Sequence, residues 1–176
     1  MKRITSVVLA VVLISPLTTL GQTRKRTTAK SKSTASAAAA ASAASAARTA
    51  GATRVADQIK FLTKFIYLLG GVANGIAVVD EAGRRNEASP DIIKRNEATK
   101  TTVRTSIQGF REGLDKLEID FRSTPELQPY YIKLAGVAAG AATAEQQAAN
   151  SQFDASGRTL LTVVNRLADV LVVMRQ

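Results

Sequence analysis

Cysteine, histidine and tryptophan are all missing from the 176 residues of this chain. Without them there is no disulfide framework, no zinc or haem site resting on Cys or His, and no Ser-His-Asp or Cys-His nucleophile. A carboxylate-bridged di-iron bundle falls as well, because its Glu-x-x-His pairs need histidine. Strand signals are also wanting, since no alternating β-branched segment is bounded by Asn-Gly or Asp-Gly turns. A glycine-rich phosphate loop therefore has no strand to follow. Aromatics make up only 5% of the residues, but apolar residues reach 45%. That is enough to bury a core in one domain of ordinary size.

The amino terminus is laid out as a secretory signal. Met1-Lys2-Arg3 is a short basic lead, and the run from Ile4 to Leu20 carries no charge. Thr19 and Gly21 are small residues at the −3 and −1 positions of a cut between Gly21 and Gln22. A span interrupted by Pro16 suits a hydrocarbon core of about 30 Å poorly, so residues 1–21 are expected to be removed rather than kept as an anchor. Export to the periplasm or beyond follows from that expectation. No cysteine follows the run, which rules out a lipoprotein anchor there.

Composition then changes abruptly. Residues 22–32 hold five cations, Arg24, Lys25, Arg26, Lys30 and Lys32, and no acid, while residues 33–50 are mostly alanine with Ser and Thr. No large apolar side chain lies between Leu20 and Val55 to hold this stretch in a core. Residues 22–50 therefore read as a flexible basic and alanine-rich tether. Alanine's helix propensity favours a transient helix there.

Residues 51–176 read as four helices. Apolar positions fall at 55, 59, 62, 66, 69, 73 and 76, in steps of four and three that make one stripe down a helix. Ser89-Pro90-Asp91 is a restart, with a cap, a proline at the first helical position and an acid in the first turn. The second stripe is Val103, Ile107, Phe110, Leu114, Leu117 and Phe121. Thr124-Pro125 restarts the chain again, with Ser123 and Glu126 spaced as a capping box. A third stripe runs from Leu127 through Tyr131, Leu134 and Ala138 to Ala148, and a fourth from Leu160 through Leu167 to Met174. Short connections between long helices predict an all-α, antiparallel, up-down-up-down four-helix bundle. Small-residue patches on the first and third helices predict close helix packing at Gly71, Gly75, Gly136 and Gly140, at one level of the bundle.

Charge separates the two parts. All 14 acids lie in residues 51–176 beside 16 cations, so the basic excess belongs to the N-terminal part. In the helices acids precede bases by one turn, as at Asp80/Arg84, Glu81/Arg85, Asp91/Arg95, Glu112/Lys116 and Glu118/Arg122, which marks solvated faces. The acids Glu112, Asp115 and Glu118 lack the glycine turn of a calcium loop, and no metal or other cofactor is expected. Phe65 to Val79 is uncharged and contains Gly71-x-x-x-Gly75, a spacing used by membrane helix pairs. At about 1.5 Å per residue it is short for a span and reads as a packed helix.

Function follows from charge and compartment rather than from any catalytic motif. The favoured expectation is a non-catalytic exported bundle, bound to an anionic envelope surface or another envelope protein, with Arg24, Lys25, Arg26, Lys30 and Lys32 as the surface contact. The alternative is a nucleic-acid-associated protein using the same tail. No specific nucleic acid and no small-molecule substrate is indicated.

Overall fold

A computed structural model describes the backbone of residues 28–175 and the side chains of residues 36–175. Residues 1–21, where the signal sequence is expected, lie outside that range. The chain divides into two units, Met1–Ala37 and Ala38–Gln176, and every contact below lies within the second. The described residues are all-helical. They form α1 (Thr28–Arg84), α2 (Pro90–Ser123), α3 (Gln128–Leu134), α4 (Val137–Ala149) and α5 (Phe153–Met174).

The alanine-rich stretch is helical instead of a flexible tether. Helix α1 begins at Thr28 and continues without a break through residue 50. Alanine at most positions, with the best intrinsic propensity of any residue, accounts for this without buried contacts. Residues 36–43 are exposed, and burial begins at Gly51 and Val55. The first helix ends beyond Arg84, where Asn86 takes the left-handed conformation (φ 57) and the Glu87 amide reaches back to the Ala82 carbonyl at 2.8 Å. Asparagine tolerates this backbone better than most residues, which makes it a fitting stop.

The apolar stripes form one core. Leu62, Leu69, Ala73 and Ile76 from α1 meet Ile107, Leu114 and Phe121 from α2, Ala141, Ala144 and Ala148 from α4, and Leu160 and Leu167 from α5. Side-chain contacts tie neighbouring helices together. Between α1 and α2 the contacts pair Arg54 with Asp120, Phe65 with Phe110 and Asp80 with Lys100. Between α2 and α4, Glu118 bonds Ala138 while Arg104 reaches Ala148. Between α4 and α5, the Gly136 carbonyl accepts from Arg166 and the Ala144 carbonyl from Ser156.

The expected third helix is broken. Ala135 and Gly136 interrupt it, with Gly136 at φ 91, a backbone conformation that favours glycine. Glu118 of α2 makes the break tenable. Its Oε1 accepts from the Gly136 amide at 3.0 Å and the Ala138 amide at 2.8 Å, so a carboxylate sits at the start of α4. The capping box expected at Ser123 and Glu126 is not formed. The Ser123 hydroxyl donates to the Asp120 carbonyl instead, and α3 starts at Gln128 with no side-chain cap.

The glycines do not share one role. Gly71 and Gly75 face outward, and a Cβ built at either would meet nothing within 4 Å. The expectation that they close-pack is wrong, because Gly71 lies about two and a half turns from Leu62, on the opposite side of the helix. At Gly140 a Cβ would stand 2.8 Å from a Val163 methyl of α5. Gly136 is no helix-interior glycine at all, but the turn that starts α4. Gly71 and Gly75 therefore do not pack against the glycines of the third helix.

Candidate functional site

Polar residues enter the core at one end of α1 and α2. Asn96 and Lys100 lie on the buried side of α2, and Asp80 faces them from α1. The Lys100 ammonium donates to Asp80 Oδ1 and Glu97 Oε1, both at 2.7 Å, with its side chain only 9% exposed. The Asn96 amide donates to Asp80 Oδ1 at 2.7 Å and to the Ile76 carbonyl at 3.4 Å. Burial pulls the lysine pKa down, but the hydrogen bonds from Asp80 and Glu97 outweigh it, and the group titrates above its ordinary value. A lysine held in the charged form is a poor base or nucleophile at neutral pH. Asp80 likewise spends one oxygen on two donors. The cluster is built to pin α2 to α1.

A cleft of about 450 Å³ opens beside it, between α1 and the start of α5. Ala73, Ile76 and Phe153 supply apolar lining, and Asp80, Arg84, Asp154 and Arg158 supply charge of both signs. Arg84 pairs with Glu81, as does Arg85 at 2.9 Å. The Glu81 carboxyl is held below its ordinary range by hydrogen bonds from Arg84 and then Arg85. Acids and bases thus compensate one another around the opening, and no single sign of charge dominates it.

The acidic residues of α2 are dispersed. Glu112 accepts from Gln108, Asp115 pairs with Arg111, and Glu118 caps α4. Arg111 also reaches Glu145 at 2.6 Å, tying α2 to α4. Arg104 closes the far end of α4 by donating to the Ala148 carbonyl at 3.1 Å and the Ser151 hydroxyl at 3.0 Å. A cation at a helix C-terminus is favourable. Tyr130 and Tyr131 are both half-buried against the core. Every buried side-chain nitrogen and oxygen among the described residues has a partner.

Of the expected surface cations, Arg24, Lys25 and Arg26 lie outside the described residues, while Lys30 and Lys32 fall near the start of α1. The Lys100 cluster was missed by sequence reading, although a signal for it exists. Asn96 and Lys100 extend the second stripe backward in steps of four and three, and Asp80 extends the first stripe forward from Ile76. Polar residues on two core stripes, at the same end of an antiparallel pair, are a buried network in waiting. Among the described residues one helical segment, Ser36–Arg84, is long and apolar enough to cross a membrane by length and composition. Comparison with known families, with curated proteins and with solved structures finds no match for this chain.

Proposed function

We propose that the chain is a non-catalytic helical module, exported from the cytosol, that acts by contact at an anionic surface of the cell envelope. In this reading residues 1–21 are a signal peptide, residues 22–50 are a basic and alanine-rich segment, and residues 51–176 are an up-down-up-down four-helix bundle in which α3 and α4 share the third place. The observation that carries the reading is the segregation of charge. Five cations stand without an acid in residues 22–32, while every acid of the chain lies in residues 51–176. Each cation near an anionic membrane contributes about 1 kcal/mol, so such a segment gives reversible attachment. The tied-up state of Lys100, Asp80 and Glu118 agrees with a body that holds shape rather than performs chemistry.

Cell fractionation with intact mass tests compartment and processing together. The expected result is a chain beginning at Gln22 in the exported fraction, and an unprocessed chain in the cytosol overturns the proposal. Replacing Arg24, Lys25, Arg26, Lys30 and Lys32 by Gln should weaken sedimentation with anionic vesicles. Binding by the unaltered protein should also fall as salt rises, since exposed charges are screened over about 10 Å at 0.1 M. A five-fold variant that sediments as well as the original would reduce the segment to a spacer.

A further inference from the structure

We infer that the groove between α1 and α2, toward their connection, binds a single-chain amphiphile of the fatty-acid class, its anionic head at Arg95 and its chain over Gly75. This goes beyond the envelope reading, which makes no use of the groove. The groove has a volume of about 430 Å³, within the range of small-molecule sites. Val72, Ile76 and Val79 of α1 and Ile92 of α2 give it an apolar lining. Ile76 belongs to the core and Ile92 is exposed, so the lining runs from the interior to the surface. Gly75 keeps it open. Positions 72, 75, 76 and 79 share one face of the helix, three and four residues apart, and a Cβ at Gly75 would meet nothing within 4 Å. Glycine inside a helix is less favourable than alanine, and no close contact offsets that here. What the missing side chain leaves is room in the groove.

The polar groups of the lining identify the occupant. No acid lines the groove, and Arg95 is its one cation. Among the described residues no acid pairs with Arg95, not even Asp91 one turn earlier on α2. The remaining polar groups are engaged. The Asn96 amide donates to Asp80 and to the Ile76 carbonyl, and the Thr99 hydroxyl donates to the Arg95 carbonyl at 3.0 Å. An extended peptide would bring backbone donors and acceptors that this lining has few groups to receive, whereas a hydrocarbon chain needs none. One unpaired guanidinium beside an apolar trough is complementary to one negative charge on such a chain. Its planar fork of donors suits a carboxylate. The cleft between α1 and α5 differs in this respect, because it carries charge of both signs.

Titration calorimetry of the full chain with laurate, below its micelle concentration, should show saturable binding of one equivalent. Dodecyltrimethylammonium, which has the same chain length and a cationic head, should bind more weakly by about tenfold or more. Arg95→Gln, at an exposed position, should weaken laurate binding by about as much and remove the preference for the anion. Gly75→Met fills the groove with a flexible side chain, and should lose a similar factor without lowering the melting temperature. Gly71→Met is the control, because Gly71 is equally open but lies outside the groove, and its affinity should match that of the original. Absence of saturable binding overturns the inference. So does laurate binding that survives Gly75→Met, which puts the ligand elsewhere on the chain, or binding that Gly71→Met weakens equally. Unchanged affinity in Arg95→Gln, or a cationic amphiphile bound as tightly as laurate, overturns the assignment of an anionic head. A melting temperature that rises with protein concentration, and ceases to do so in Gly75→Met, gives the groove to a second copy and overturns the inference.

Discussion

Gly71 on α1 and Gly140 on α4 sit in similar sequence surroundings, small residues within an uncharged helical run, yet their environments are opposite. A Cβ at Gly71 meets nothing within 4 Å, and one at Gly140 runs into Val163 at 2.8 Å. The difference is one of phase. Gly140 lies one turn from Val137 and one turn from Ala144, both buried, whereas Gly71 falls between the buried turns at Leu69 and Ala73. Composition marks both places as small, but only the position relative to the apolar stripe says which one is packed. The same rule separates the charges. Lys100 is on the stripe of α2 and buried, while Lys60 and Lys64 are off the stripe of α1 and exposed.

The largest test of that rule is the polar residue on the stripe. Lys100→Met leaves Asp80 facing the core without its cation, and removing one partner of a buried ion pair costs roughly 3–5 kcal/mol. Asp80 is about a third exposed, which places the expected loss near the lower end of that range. The effect has a defined pH window. The Lys100 pKa is raised in the folded protein, so its contribution is complete below the unfolded lysine value of about 10.4 and is lost as pH rises through the folded value. Urea midpoints of the two proteins should differ most at neutral pH and draw together as pH rises through the folded lysine value. A gap that is constant from neutral to strongly alkaline pH would falsify the ion-pair account and leave packing alone as the cause.

Next in size is the glycine on the stripe. Gly140→Leu puts a branched side chain against Val163 between α4 and α5, and overpacking of this kind costs about 1–3 kcal/mol. Gly140→Ala should also destabilise, though less, despite alanine's better helix propensity, because Val163 must move. Calorimetry on both variants checks the order. An alanine variant as stable as the original would show that the α4–α5 seam yields freely.

Much of this architecture was legible in the sequence. The four stripes name the core, and the restart at Ser89-Pro90 is realised, with the Ser89 hydroxyl accepting from the Ile92 amide at 3.4 Å. The break at Gly136 was not legible, because a stripe can pass through a kink without changing its steps. It depends on Glu118, 18 residues earlier, and periodicity cannot express such a contact. Charge pairing was legible only locally. Glu81 does pair one turn along with Arg85, but Asp80 leaves Arg84 for the distant Lys100, and Glu118 leaves Arg122 for the start of α4. Local spacing shows which pairs are possible within a helix, and tertiary partners with better-desolvated geometry then take some of the acids away.

The smallest expected effect is the one that reverses sign. At Gly71 no neighbour opposes an added methyl, so the backbone term acts alone. Glycine inside a helix is about 0.8–1.0 kcal/mol less favourable than alanine. Gly71→Ala should therefore stabilise the protein by something under 1 kcal/mol and raise the melting temperature by roughly 2–4 °C, while Gly140→Ala lowers it. Alanine is the right probe here, since it adds little apolar surface to a face already rich in it. The pair of measurements isolates phase from residue type, because the substitution is identical and only the side of the helix differs. If Gly71→Ala destabilises instead, the outward face of α1 is covered in solution by something the added methyl disturbs. Repeating the melt across a hundredfold range of protein concentration then reveals whether that cover is a second copy.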